Sequence, residues 1–177
     1  MPTAVSTASR VVSLESFERA RQGSGPAFRQ VRVLVADRQV LVRAGLRALL
    51  EAGREISVVA EADTGERALA ESARVQPDVV LLDIDLPGLE CAEATRRILL
   101  HAQAQVMLLT SSATDGRILP ALEAGARGLF MKDAEGDELA RAVELIAGGH
   151  EHVSPMLTRR LIAQLGHSSH NPLSLVT

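Results

Sequence analysis

Five short runs of aliphatic and β-branched residues punctuate the middle of the chain: Val31–Ala36, 56–60, 79–82, 106–109 and Gly128–Met131. None alternates apolar with polar positions, which predicts strands buried on both faces, as in a parallel sheet. Between them apolar residues return at three- and four-residue spacing, predicting helices at 40–52, 65–74, Cys91–His101, 116–124 and 135–146. Strand and helix alternate five times, and the strand starts keep roughly the ~30-residue spacing of a βαβ unit. The pattern is that of a doubly wound α/β domain with right-handed crossovers.

Outside residues 31–147 the pattern fades. Residues 1–30 are rich in Ser, Ala, Gly, Gln and Arg, with Gly23, Gly25 and Pro26 near their end and only a short helical pattern at 14–21. They are expected to form a disordered extension. Gly148 and Gly149 close the fifth helix, and Ser154 followed by Pro155 opens a further helix expected to run to about 165. Residues 148–177 therefore read as a linker that carries one helix.

Composition narrows the function. Nineteen Lys and Arg against 22 Asp and Glu give a net charge of −3, without the basic footprint of a stand-alone nucleic-acid binder. No Trp, no Tyr and three Phe leave little for stacking bases or sugars. The single cysteine, Cys91, excludes an internal disulfide and any cysteine-built metal cluster, and fits a reducing cytoplasm. No apolar run approaches the ~18 residues of a membrane span, and no signal-like apolar stretch follows the start, so a cytoplasmic location without membrane contact is expected. His150, His152, His167 and His170 have spacings that could suit zinc, but without cysteines or fixed carboxylates they read as linker histidines.

In an open parallel sheet, ligands bind beyond the carboxyl ends of the strands. The first strand is followed there by Asp37 and Arg38, the third by Asp83 and Asp85, the fourth by Thr110 and Ser111, and the fifth by Lys132. Lys132 is the chain's only lysine among 18 arginines. A strand-end aspartate can act as a nucleophile, a lysine beside it can neutralise transferred phosphoryl charge, and a threonine hydroxyl can donate to a phosphoryl oxygen. The second strand ends in Glu61 and Asp63 and is expected at a sheet edge, away from the crevice.

The stretch from Asp37 through Gly45, the run Pro77-Asp-Val-Val-Leu-Leu-Asp83, Pro87-Gly88, Ala124-Gly-Ala-Arg-Gly128 and Lys132-Asp133 together resemble the receiver domain of NarL/FixJ-type two-component response regulators. The resemblance implies a flavodoxin-like, three-layer fold with five parallel strands in the order 2-1-3-4-5. It implies Asp83 as phosphoacceptor, Asp37 as the first acidic residue, Thr110 as the switch hydroxyl and Lys132 as the cation. Ser111 and the backbone carbonyl of Asp85 would complete a pocket in which Asp37, Asp83 and Asp85 hold Mg2+. A sensor histidine kinase and a dimeric state, with itself or with another response regulator, are the implied partners. Asn171 to Thr177 resembles the lead-in to a helix-turn-helix output domain, so DNA binding is expected of a longer parent transcription factor.

The chain departs from that pattern where family members carry a second acidic residue, because Arg38 stands there. A guanidinium cannot ligate magnesium, which requires oxygen donors in near-octahedral array. Unit charges about 4 Å apart interact by about 4 kcal/mol at an effective dielectric of 20, so Arg38 is expected to pair with Asp37 or Asp83 in place of the metal. Phosphorylation of Asp83 is then impaired or absent, and the chain is no enzyme. Leu129 occupies the usual aromatic switch position, with Phe130 pointing to the opposite face. Cys91 is expected to be a packing residue. The dimer surface is expected on the fifth helix, with Ala140, Val143, Leu145 and Ile146, or on the fourth helix and fifth strand. The alternative reading is a haloacid-dehalogenase-type phosphohydrolase with Asp83 as nucleophile and Asp85 as acid/base, for which the chain lacks room for a cap. A dinucleotide binder is weaker still, since no G-x-G-x-x-G follows the first strand.

Overall fold

The apolar runs form one parallel sheet in a computed structural model that describes residues 29–153 and 155–168. The strands are β1 (Val31–Ala36), β2 (Ile56–Ala62), β3 (Val79–Asp83), β4 (Gln105–Thr110) and β5 (Gly128–Met131), with a sixth, β6 (His152–Val153), at the far edge. Their order is β2-β1-β3-β4-β5-β6 and every neighbouring pair is parallel. The helices are α1 (Val40–Leu50), α2 (Gly65–Val75), α3 (Cys91–His101), α4 (Ile118–Glu123), α5 (Gly136–Ala147) and α6 (Pro155–Ser168). Residues 1–28, including the helical pattern at 14–21, and the closing stretch from 169, including Asn171 to Thr177, lie outside the described residues.

Continuous apolar runs are needed because both faces of the sheet are covered. Leu34, Val80, Leu82 and Leu108 point into a core shared with α2, α3, α4 and α6. Val33, Val35, Leu81, Met107 and Leu109 point into a second core under α1 and α5. All nine side chains are fully buried, each contributing about 1.5–3 kcal/mol of burial. Leu129 and Phe130 divide between the two cores as strand alternation requires. Val143 and Ile146 of α5 pack on the sheet. The exception is β2, whose burial alternates along seven residues because it is an edge strand.

Besides α1 ending at Leu50 rather than 52 and α6 running to Ser168 rather than about 165, three details differ from the sequence reading. A sixth strand extends the expected five because α5 ends in a Schellman motif. There the His150 N–H donates to the Leu145 carbonyl, the Gly149 N–H donates to the Ile146 carbonyl, and Gly149 takes φ 86°. The turn lays His152 beside Gly128, where a side chain at 128 would lie 3.2 Å from the His152 carbonyl oxygen. Two residues are too few to show a period. Second, α4 starts at Ile118 rather than 116, because the Asp115 carboxylate accepts the Arg117 N–H at 2.9 Å and holds that segment as a turn. Third, β2 runs on to Ala62.

Candidate functional site

The sheet order brings β1, β3, β4 and β5 side by side, and their carboxyl ends form one rim. Asp37 follows β1, Asp83 closes β3, Thr110 closes β4 and Lys132 follows β5. The backbone N–H of Lys132 donates to the Thr110 carbonyl at 2.9 Å, which fixes where the lysine leaves the sheet. From there its Nζ reaches Asp37 Oδ2 at 2.6 Å and Asp83 Oδ1 at 3.0 Å. The two aspartates are 0% and 1% exposed and share this one ammonium. Asp37 Oδ1 accepts the Gln39 N–H at 2.7 Å, and Asp83 Oδ1 accepts the Asp85 N–H at 3.2 Å. Asp83 Oδ2 takes no part in these contacts.

Two carboxylates on one cation leave a net negative charge in a buried site. Burial pushes the Asp83 carboxyl above its ordinary value; the Asp37 charge acts in the same direction, and Lys132 and the Asp85 N–H offset the rise only in part. For Lys132 burial works against the charged form, but its hydrogen bonds to Asp37 and Asp83 outweigh that and hold it protonated beyond the usual lysine range. The arrangement presents a buried carboxylate with a fixed cation alongside, suited to accepting a phosphoryl group.

The remaining sequence candidates lie around this cluster. The Thr110 hydroxyl is buried beside it but engaged locally, donating to the Ser112 carbonyl at 2.8 Å and accepting the Ser112 N–H at 3.1 Å. Ser111 is exposed. Asp85 is exposed and its carboxylate pairs with Arg117, which also holds Asp115. Arg38 is exposed and forms no ion pair with Asp37 or Asp83, contrary to the expected pairing; Lys132 reaches both carboxylates from inside, where burial makes the interaction stronger. Cys91 is buried, and burial pushes its thiol up to about 12, as suits a packing residue.

Two contributors escape sequence reasoning. Arg43 of α1 donates to the Asp37 carbonyl at 2.6 Å and pairs with Glu61, tying α1 and β2 to the strand end that carries Asp37. Arg117, at the N-cap of α4, clasps Asp85 although the sequence places it within the helical pattern at 116–124 with no partner indicated. Only the spacing of Arg43 and Arg47 on one side of α1, opposite Glu61, hinted at the first.

These residues lie within a segment, 33–144, that matches the family model described as the response regulator receiver domain. The chain belongs to this family. It is 32% identical over 144 residues to the transcriptional regulatory protein LiaR of Bacillus subtilis (strain 168), covering 81% of this chain and 68% of that one. It is 36% identical over 132 residues to the response regulator GacA of Pseudomonas viridiflava, covering 74% of this chain and 62% of that one. Among solved structures, a two-component response regulator of the LuxR family from Aurantimonas sp. SI85-9A1 superposes with a TM-score of 0.71 at 32% identity, covering 77% of this chain and 98% of that one. The phosphohydrolase reading is not favoured: the matches are response regulators, and the carboxylate of the acid/base it assigns, Asp85, is paired with Arg117.

Receiver domains generally bind Mg2+ for phosphorylation, but the donor set here does not fit a resident ion. No group of three or more His, Cys, Asp or Glu side chains among the described residues is placed to hold a metal. Of the four carboxylate oxygens of Asp37 and Asp83, two contact the Lys132 ammonium and Asp37 Oδ1 is committed to Gln39. Where a further acidic ligand would stand is the guanidinium of Arg38, and the Asp85 carboxylate is paired with Arg117, so that of Asp85 only the backbone carbonyl is left as a donor.

Proposed function

We propose that the chain is the signal-input domain of a cytoplasmic, DNA-binding transcriptional regulator, with Asp83 at the phosphoacceptor position and with Mg2+-dependent phosphorylation impaired or absent. The observation that carries this reading is the Lys132 bridge between Asp37 and Asp83, closed from inside while Arg38 occupies the position of a metal ligand. Residues 31–147 are the input domain, residues 148–177 lead toward a helix-turn-helix output domain in the longer parent, and dimerisation of the input domain controls that output. Thr110 and Ser111 line the pocket mouth and Asp37, Asp83 and Lys132 its floor. A pocket in this state answers weakly to a sensor histidine kinase, so association with a second copy or with another response regulator carries more of the control.

Intact mass of the chain after incubation with Mg2+ and acetyl phosphate tests the reading, with Asp83→Asn and Arg38→Asp measured alongside. The expected result is no adduct of about 80 Da, the mass of a phosphoryl group on a carboxylate, on the parent chain and a gain of that adduct on Arg38→Asp. A full adduct on the parent that vanishes in Asp83→Asn overturns the impairment.

A further inference from the structure

Among the described residues, the outward side of α1 is largely exposed. Leu41 is 83% exposed, the most of any large apolar side chain among the described residues, with Val40 at 65% and Leu49 at 48%. Leu41, Gly45 and Ala48 follow one another at helical spacing, with Ala52 in the turn beyond; they are flanked by Ala44 and by Leu49, whose side chain also lies against Gly136 at the start of α5, and all are exposed. No charged side chain interrupts this face, because Arg43 and Arg47 both turn to Glu61. At Gly45 an added Cβ would meet nothing within 4 Å, so the fold itself makes no use of the missing side chain. A glycine in a helix interior costs stability, and what it offers here is close approach from outside.

Just outside the two ends of α1 stand charges placed against the helix dipole. Arg38 lies just before the positive end, exposed and without an ion pair, and the first turn holds no acidic residue. Past the negative end, exposed Glu55 forms no ion pair and accepts the Arg54 N–H, its carboxylate folding back over Gly53. Arg54 itself suits that end and needs no partner.

We infer that this face of α1 is a symmetric interface with a second copy of the chain, the two α1 helices packing antiparallel with Arg38 of each beside Glu55 of the other. A two-fold interface must be self-complementary, and this one is: apolar on apolar along the helix, cation against anion at both ends. With the helices crossing between Gly45 and Ala48, Leu41 meets Ala52 and Ala44 meets Leu49 of the second copy. Antiparallel packing also brings each misplaced charge to the helix end that favours it. Arg38 thereby acts at the interface rather than in the pocket. An α1 of 11 residues is about 16 Å long and covers less than the ~800 Å² per partner of a standard stable interface, so the dimer is weak and concentration-dependent. The inference rests on the reading of the chain as a dimerising input domain and names its surface.

Sedimentation velocity of the whole chain from about 1 μM to about 1 mM, the range of weak association, tests it. The parent is expected to shift from monomer to dimer across that range. Leu41→Glu and Arg38→Glu each weaken the dimer by at least about tenfold, while the double variant Arg38→Glu with Glu55→Arg regains the parent's affinity. Thermal melting accompanies each variant, and because these positions are exposed the melting temperature of the monomer is expected to hold. A dimer indifferent to Leu41→Glu and Arg38→Glu overturns the surface and leaves the dimeric input domain standing. A chain that stays monomeric throughout overturns both.

Discussion

A buried carboxylate governs this pocket because of where it is placed. The Asp83 carboxyl is raised above its ordinary value, so the folded state holds that proton more tightly than the unfolded chain. Stability is then greatest below the unfolded value of 3.8 and falls as pH climbs from there through the higher folded value. Asp83→Asn removes that loss. The variant should melt higher than the parent at pH 7, with the difference shrinking to nothing below pH 3.8, as read by thermal melts across pH. Equal melting temperatures at pH 7 would mean that Lys132 fully compensates burial. Asp37, Asp83, Thr110 and Lys132 were legible as one site because each stands at the end of an apolar run, and strand ends in a parallel sheet share a rim. The position of Arg38 was legible, but the direction of its side chain was not: sequence offers two nearby carboxylates as partners, and only the three-dimensional path of Lys132 shows that both are already taken.

Elements were legible in proportion to their length. Four- to six-residue runs buried on both faces leave an unmistakable apolar block, and 11-residue helices leave three turns of periodicity. The two-residue β6 leaves neither, and Gly148-Gly149 reads as a linker although it builds a Schellman turn back onto the sheet. The consequence is that α6 docks: Leu157 is 1% exposed within the core shared with α3 and α4, whereas Ile162 is 63% exposed. Leu157→Ala should therefore cost about 2–4 kcal/mol in denaturant unfolding, as for other buried leucines, and Ile162→Ala less than about 0.5 kcal/mol. Similar small costs for both would mean that α6 is only loosely held and that the sheet is complete at β5.

For the molecule as a whole, family and fold follow from the five-fold alternation and the rim residues together, neither being sufficient alone. The chain spans roughly two thirds of LiaR and of GacA; in the function proposed, what this domain contributes is a pocket and a surface. Charge ties the two together. The pocket keeps one uncompensated negative charge inside, and Arg38, at the position proposed for a lost metal ligand, is exposed two residues before α1. In the two proposals made above, one residue, Arg38, is common to the loss of metal dependence and to the protein interface.

The most direct test is the melting temperature of the parent chain and of Arg38→Asp with and without Mg2+. A site with a Kd of about 1 mM gains about 1.4 kcal/mol from about 10 mM ion. That corresponds to roughly 4 °C in a domain of this size. The account predicts no Mg2+-dependent shift for the parent and a shift of about that size for Arg38→Asp. A parent that gains as much as the variant would contradict it.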